Sequence, residues 1–225
     1  MYLSRIKLNP TSVTTRRLLS SPQITHALVE GSRPPGGENK GGRVLWRIDA
    51  HGPEIELYVS SPWRPDFTGV VEQAGWPTAA TWDTRDYGGF LSALCAGQRW
   101  AFRVTTNPTR VVSQGEGVRG KVVPHRTAGH QVEWFLGSAA GWGFEVPLNG
   151  LDEPELMLVS RESRAFTRHT DHNGAPRNDR VALTQATFVG ALTVGDPEAL
   201  RDALTAGMGR ARGYGCGLMT LAHPR

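Results

Sequence analysis

Cysteine is nearly missing from this 225-residue chain, with Cys95 and Cys216 the only two. Two thiols are too few for a disulfide framework and their spacing matches no zinc site, so a reducing compartment is expected. Lysine is almost as scarce: Lys7, Lys40 and Lys121 are the only three, and arginine carries the excess of a +4 net charge. That balance leaves room for a polyanionic partner without requiring one. Arginine suits bidentate phosphate contacts and stacking on bases, although a GC-rich genome favours arginine codons equally well. No stretch approaches the ~20 apolar residues of a membrane span. Charges also break up the apolar residues of the first eight positions, so no signal peptide is read there. A soluble, cytoplasmic protein with no membrane contact is expected. The pattern G-x-x-x-x-G-K-[ST] does not occur, which excludes a P-loop.

Glycine is concentrated instead in one stretch, Gly207-Met208-Gly209-Arg210-Ala211-Arg212-Gly213-Tyr214-Gly215-Cys216-Gly217. Glycine permits positive φ and close backbone approach. Arg210 and Arg212 add charge suited to phosphate, and exposed amides between them would make an anion cradle. A turn needed only for packing fits the glycines equally well. The stretch follows a helix announced by Asp196-Pro197-Glu198, with Leu200, Ala203 and Leu204 at helical spacing. A loop that follows a helix argues against a dinucleotide fingerprint.

From the first residue the chain reads as strand (2–8), helix (from Ser21-Pro22-Gln23), strands (44–48 and 55–59), a short helix (67–74) and a strand (90–94). Ile24, Ala27 and Leu28 are the expected apolar face of that first helix, with His26 on another side. Residues 31–42 read as a mobile loop. The pattern restarts with a strand over 100–104, a basic connection over 113–128, a helix over 131–140 with Val132, Phe135 and Leu136 inward, and strands at 156–159, 187–194 and 218–222. The order is βαββαβ twice, an α+β chain of two tandem ferredoxin-like domains, 1–96 and 97–225, with a C-terminal glycine-rich loop at 207–217. No sequence repeat links the halves. Between two strands of the second unit, residues 160–180 hold Arg161, Arg164, Arg168, Arg177 and Arg180, the turn Asn173-Gly174 and no apolar periodicity. This is a solvated hairpin or loop, or a basic arm that enters a nucleic-acid groove.

The spacing Gly207-Met208-Gly209, five residues, then Gly215-Cys216-Gly217 resembles the glycine-rich loop of the RAMP proteins, which process CRISPR RNA. Met1-Tyr2-Leu3-Ser4-Arg5, Asn107-Pro108-Thr109, Trp134-Phe135-Leu136, Gly143-Phe144 and Phe188-Val189-Gly190-Ala191-Leu192 resemble one branch, the CasE-type endoribonucleases of type I-E Cascade. The resemblance runs from end to end. It implies binding of a CRISPR repeat RNA hairpin, one cut at its base without a metal or cofactor, and retention of the mature guide RNA beside other Cascade subunits, the backbone subunit among them. It also implies a catalytic histidine in the first helix, where His26 is the only one. Some relatives carry tyrosine where this chain has Gln23, a residue able to hydrogen-bond a phosphate or ribose.

RNA carries its own nucleophile, the 2′-hydroxyl, so an enzyme needs only proton transfer and charge stabilisation. Histidine titrates in the right range for the first. Arginines or loop amides serve the second. The expected RNA contacts are Arg16 and Arg17 before the catalytic helix, Gln23, the arm residues Arg161, Arg164 and Arg168, and Gly209, Arg210, Arg212 and Gly215 in the loop. His169 and His172 with Asp171 are too few for a metal site. Two other functions remain open from the sequence: a non-catalytic RNA-binding scaffold of the same fold, and a domain for a small phosphorylated ligand.

Overall fold

The computed structural model describes residues 1–35, 42–76, 81–172 and 175–224. The first unit is built on β1 (Tyr2–Leu8), whose Ser4, Ile6 and Leu8 point inward as a period of two requires. Two helices follow, α1 (Val13–Ser20) and α2 (Pro22–Glu30), then β2 (Leu45–His51), β3 (Glu54–Ser61), α3 (Thr68–Ala74) and β4 (Trp82–Asp86). The sheet order is β2-β3-β1-β4, antiparallel throughout, which is the ferredoxin-like arrangement. Ile6, Leu8, Leu18, Leu57, Val59 and Phe67 fill its core.

The second unit repeats the plan. It contains β5 (Arg99–Thr106), α5 (Ala128–Ala139), β9 (Leu156–His172), β10 (Ala175–Val194), α6 (Pro197–Ala206) and β11 (Met219–Ala222). The order is β11-β5-β10, with β9 on β10 and the two-residue β8 (Phe144–Glu145) against the end of β10. Phe135 from α5 stacks on Phe188 from β10, their ring centroids 4.5 Å apart. Asp196 caps α6, its carboxylate accepting from the Glu198 and Ala199 amides, and Leu200, Ala203 and Leu204 are all buried. The chain is therefore two tandem ferredoxin-like units ending in a glycine-rich loop, as its element order suggested.

Several local expectations are corrected. Residues 90–94 are not a strand, because Gly88–Ser92 form a short helix, α4, begun where Asp86 Oδ1 accepts from the Gly88 amide. The fourth strand is the polar β4, an exposed edge with no hydrophobic signature to read. α4 and its flanks pack forward onto the second unit: Tyr87, Leu91 and Leu94 join the second core. The connection over 113–128 contains one strand of an added β-hairpin, β6 (Thr109–Val112) with β7 (Lys121–Pro124). The helix α1 carried too little apolar periodicity to be anticipated. α2 buries Pro22, Thr25 and Val29; of the expected face only Leu28 packs, half-buried, against the core, while Ala27 is exposed and Ile24 is 45% exposed. The reason is polar: the Thr25 hydroxyl donates to Leu18 O at 2.9 Å and fastens α2 to α1 by that side.

The basic arm is the continuation of β9 and β10. β5 covers β10 only from Ala186 to Thr193, so beyond that point the two strands run on as a ribbon, paired as far as Ala175↔His172. The Asn173-Gly174 turn lies outside the described residues, as do residues 36–41 of the expected loop. Among the described residues no helix is long and apolar enough to cross a membrane.

One buried guanidinium joins the units. Arg47 of β2 is 2% exposed. It holds Asp49 through two hydrogen bonds of 2.9 and 2.8 Å, then crosses to the second unit and donates to Arg103 O, Leu218 O and Thr220 Oγ1. Arg103 donates to Asp49 from the other side at 3.1 Å. Burial pushes the Asp49 carboxyl up, but the hydrogen bonds and charge of Arg47, with Arg103, outweigh it and hold the carboxyl below its ordinary value.

Candidate active site

His26 sits in the second turn of α2, with Ser21 as N-cap and Pro22 at the first helical position. The unexpected rotation of α2 turns His26 toward the glycine-rich loop of the other unit. A Cβ on Gly213 would stand 3.6 Å from both Cε1 and Nε2 of the imidazole. His26 Nδ1 is buried and makes no hydrogen bond among the described residues.

The histidine opens into a cleft of about 990 Å³ where the two units meet. Glu30 and Arg33 line it from α2 and the chain just after, Arg43 from the approach to β2, and Arg212 from the loop. Arg33 lies over the Trp63 ring at 4.2 Å and near Glu30 at 3.8 Å. Arg212 is fixed by its Nε, which donates to Gly209 O at 2.9 Å. Partial burial, and then the Arg43 charge, pull the Arg212 guanidinium below its usual value. With Arg33 near Glu30, the other two of the three lining arginines, Arg43 and Arg212, stand beside the imidazole and suit an anion with a proton to move.

Of the residues expected from the sequence, the structure brings His26 and Arg212 together. Arg16 and Arg17 are exposed on α1, Gln23 lies one turn before His26 and Arg210 is exposed on the loop; none of these four lines the cleft. Arg161 and Arg164 spend donors within the chain. Arg161 bonds Gln131 Oε1 at 2.9 Å and Arg126 O, while Arg164 bonds Glu162 and reaches Leu19 O of α1 at 2.8 Å. The side chain of Arg168 lies outside the described residues, with those of His169, Asp171 and His172.

Two of the loop glycines pack closely on tryptophans. Gly215 has φ +79° and presses on Trp46, where a Cβ would come within 2.8 Å of the indole. Gly209, with φ +73°, lies against Trp134. The amides of Gly207, Met208, Tyr214 and Gly217 donate to carbonyls of the chain itself. Arg33 and Arg43 were missed because nothing in their local sequence marks them; only the meeting of the units makes them neighbours of His26.

The family described as CRISPR associated protein matches residues 1–223. The chain belongs to that family. A full-length relative, the CRISPR-associated endoribonuclease Cse3 of Thermus thermophilus, is 28% identical over 99% of this chain and 100% of its own. Among solved structures, CRISPR endoribonuclease Cse3 bound to a 19-nucleotide RNA superposes with a TM-score of 0.80 at 24% identity, covering 99% of this chain and 100% of that one. A chain of a CRISPR RNA-guided surveillance complex superposes at 0.64 with 22% identity over the whole of both. At these identities the superpositions establish the fold of this CRISPR-associated family member.

Proposed function

We propose that this chain is an endoribonuclease that cuts CRISPR repeat RNA at the base of its hairpin and keeps the mature guide RNA in a Cascade effector complex in the cytoplasm. The observation that carries the reading is the convergence of His26 from the first unit with Arg212 from the second in one cationic cleft. Family membership and the full-length likeness to an endoribonuclease support it.

The reaction needs no metal. The 2′-oxygen attacks the adjacent phosphorus, the bond to the 5′-oxygen breaks, and the products are a 2′,3′-cyclic phosphate and a 5′-hydroxyl. One proton leaves the 2′-hydroxyl and one arrives on the 5′-oxygen. His26 performs one of these transfers. Arg212 and Arg43 hold the phosphoryl oxygens as their charge grows, a role worth about 10²–10³ in rate per donor. The working division follows residues 1–96, which supply His26, and 97–225, which supply the arm and loop. RNA helices hide their bases in a deep, narrow groove, so the arm reads shape and phosphate charge. Arg16, Arg17, Gln23, Arg168 and Arg210 serve as outer RNA contacts. Gly209 and Gly215 act by seating Arg212.

The test is incubation with the cognate repeat RNA in EDTA. Wild type should give one cut with a cyclic phosphate end, and His26→Ala should bind normally but cut about 10²–10⁴ times more slowly. Tight binding without a cut in either protein would make the chain an RNA-binding scaffold. Cutting that survives in His26→Ala would place the chemistry elsewhere.

A further inference from the structure

The second unit carries an insertion that its βαββαβ frame does not need. β6 and β7 pair from Thr109↔Pro124 to Val112↔Lys121 as a sheet of their own. A two-stranded ribbon has too little core to stand alone, and this one is tied down at its base. The His125 amide donates to Pro108 O, Gln131 of α5 donates to His125 O at 2.8 Å, and Arg161 of the arm donates to Gln131 and to Arg126 O. Ribbon, helix and arm are thereby one body.

Between the ribbon and α5 lies a groove of about 540 Å³. Arg110, Lys121, His125, Arg126 and His130 line it, and among the described residues no carboxylate does. Its apolar part is Val112, Val122 and Val123, and Val112 and Val122 are each 40% exposed. The rings of His125 and His130 lie 6.1 Å apart. Burial, then the charges of Arg110 and His130, keep the His125 imidazole below its ordinary value against the opposing pull of Glu133, which stands outside the groove. Arg110, Lys121 and Arg126 put three permanent cations on this one surface, and their mutual repulsion favours a polyanion.

We propose that this groove binds the phosphate backbone of an unpaired RNA strand, at a site separate from the His26 cleft. Valines beside cations fit a single strand, whose bases are free to lie on apolar surface while its phosphates meet the charges. A duplex keeps its base faces stacked away. The arm separates the two sites. Side chains an odd number apart on a strand point to opposite faces; Arg161 turns to this groove, while Arg164 turns to α1 of the first unit. The choice of RNA as the polyanion rests on the function proposed above.

The test uses the full chain, a fluorescent oligouridine without secondary structure, and a short repeat stem-loop without flanks. A triple variant, Arg110→Ala with Lys121→Ala and Arg126→Ala, changes only exposed side chains. It should weaken oligouridine binding at least about tenfold and lower the slope of log K against log salt by about 2, three single-strand contacts at roughly 0.7 each. His26→Ala should leave that binding unchanged, and the triple variant should cut the stem-loop at the wild-type rate. Equal oligouridine binding by wild type and triple variant would overturn the proposal. So would polyglutamate that competes as well as oligouridine, since the groove would then read an acidic peptide. If wild type cuts the stem-loop but ignores oligouridine, the groove proposal alone falls. If oligouridine binding depends on the groove but no repeat is cut, the endoribonuclease reading alone falls.

Discussion

Arg47→Ala should loosen the joint between the two units and, with it, the active site. The side chain is 2% exposed and makes five hydrogen bonds: two to Asp49, one to Thr220 and two to the backbone carbonyls of Arg103 and Leu218. Its removal strands the buried Asp49 with only the single bond from Arg103. Breaking a buried ion pair from one side costs about 3–5 kcal/mol, because the remaining charge stays desolvated. At roughly 2–4 °C per kcal/mol for a chain of this size, the melting temperature should fall by about 6–20 °C. Arg47→Lys should recover little, since a lysine is a point donor and cannot bridge both Asp49 oxygens and three acceptors across the joint. The functional readout follows from the same geometry. His26 and Arg212 stand on different units, so a joint that moves lowers kcat for RNA cutting even at temperatures where the variant is folded. The assays are thermal unfolding followed by circular dichroism and single-turnover cutting well below the transition. A loss under about 1 kcal/mol, or full cutting by a destabilised variant, would refute the argument that this guanidinium holds the two halves of the site in register.

Other consequences follow from single residues. Asp49 is held below its ordinary value of 3.8, so its stabilising contribution is present above about pH 4 and is lost as pH falls toward the folded value. Asp49→Asn should be less stable at pH 7 yet lose less stability than wild type between about pH 5 and 3; parallel acid profiles of melting temperature would refute this. Gly215→Ala should lower stability by about 1–3 kcal/mol, from strain at positive φ, with the added clash on Trp46 at 2.8 Å. Gly213→Ala meets His26 only at 3.6 Å and should stay near wild type in thermal unfolding; equal melting of both variants would show that the Trp46 contact is not needed. Burial pushes the Cys216 thiol up to about 12, while Cys95 is exposed. A thiol reagent should therefore titrate one cysteine in the native protein and the second only in denaturant, and two equal fast reactions would contradict the buried position.

Local chemistry carried the sequence reading where it succeeded. Alternation exposed β1, β3 and β5, because a half-buried strand must alternate. Asp196-Pro197-Glu198 and Gly207 bracketed α6, because capping acts within a single turn. That order of elements was enough for two ferredoxin-like units, whereas His26 was singled out only by what the family resemblance implies. β4 was not, because an exposed edge strand is polar on most positions and leaves no apolar pattern. The arm showed no apolar periodicity for the same reason: a two-stranded ribbon beyond the sheet has solvent on its faces.

Tertiary structure alone decided the rest. Which face α2 buries depended on the Thr25 hydroxyl finding Leu18 O, a bond that hydrophobicity does not foresee. That rotation aims His26 at Gly213. The loop glycines fitted a phosphate cradle and a packing turn equally well in the sequence; the close approach of Gly215 to Trp46 and of Gly209 to Trp134 is set by what lies opposite. Arg43, Arg47 and Arg212 have similar local sequence signals and different fates, one exposed at the cleft, one sealed in the joint and one pinned between. The sequence states each residue's charge and local backbone preference. Burial, partners and the meeting of His26 with Arg212 arise from contacts between residues nearly two hundred positions apart, and those exist only once both units have folded and docked.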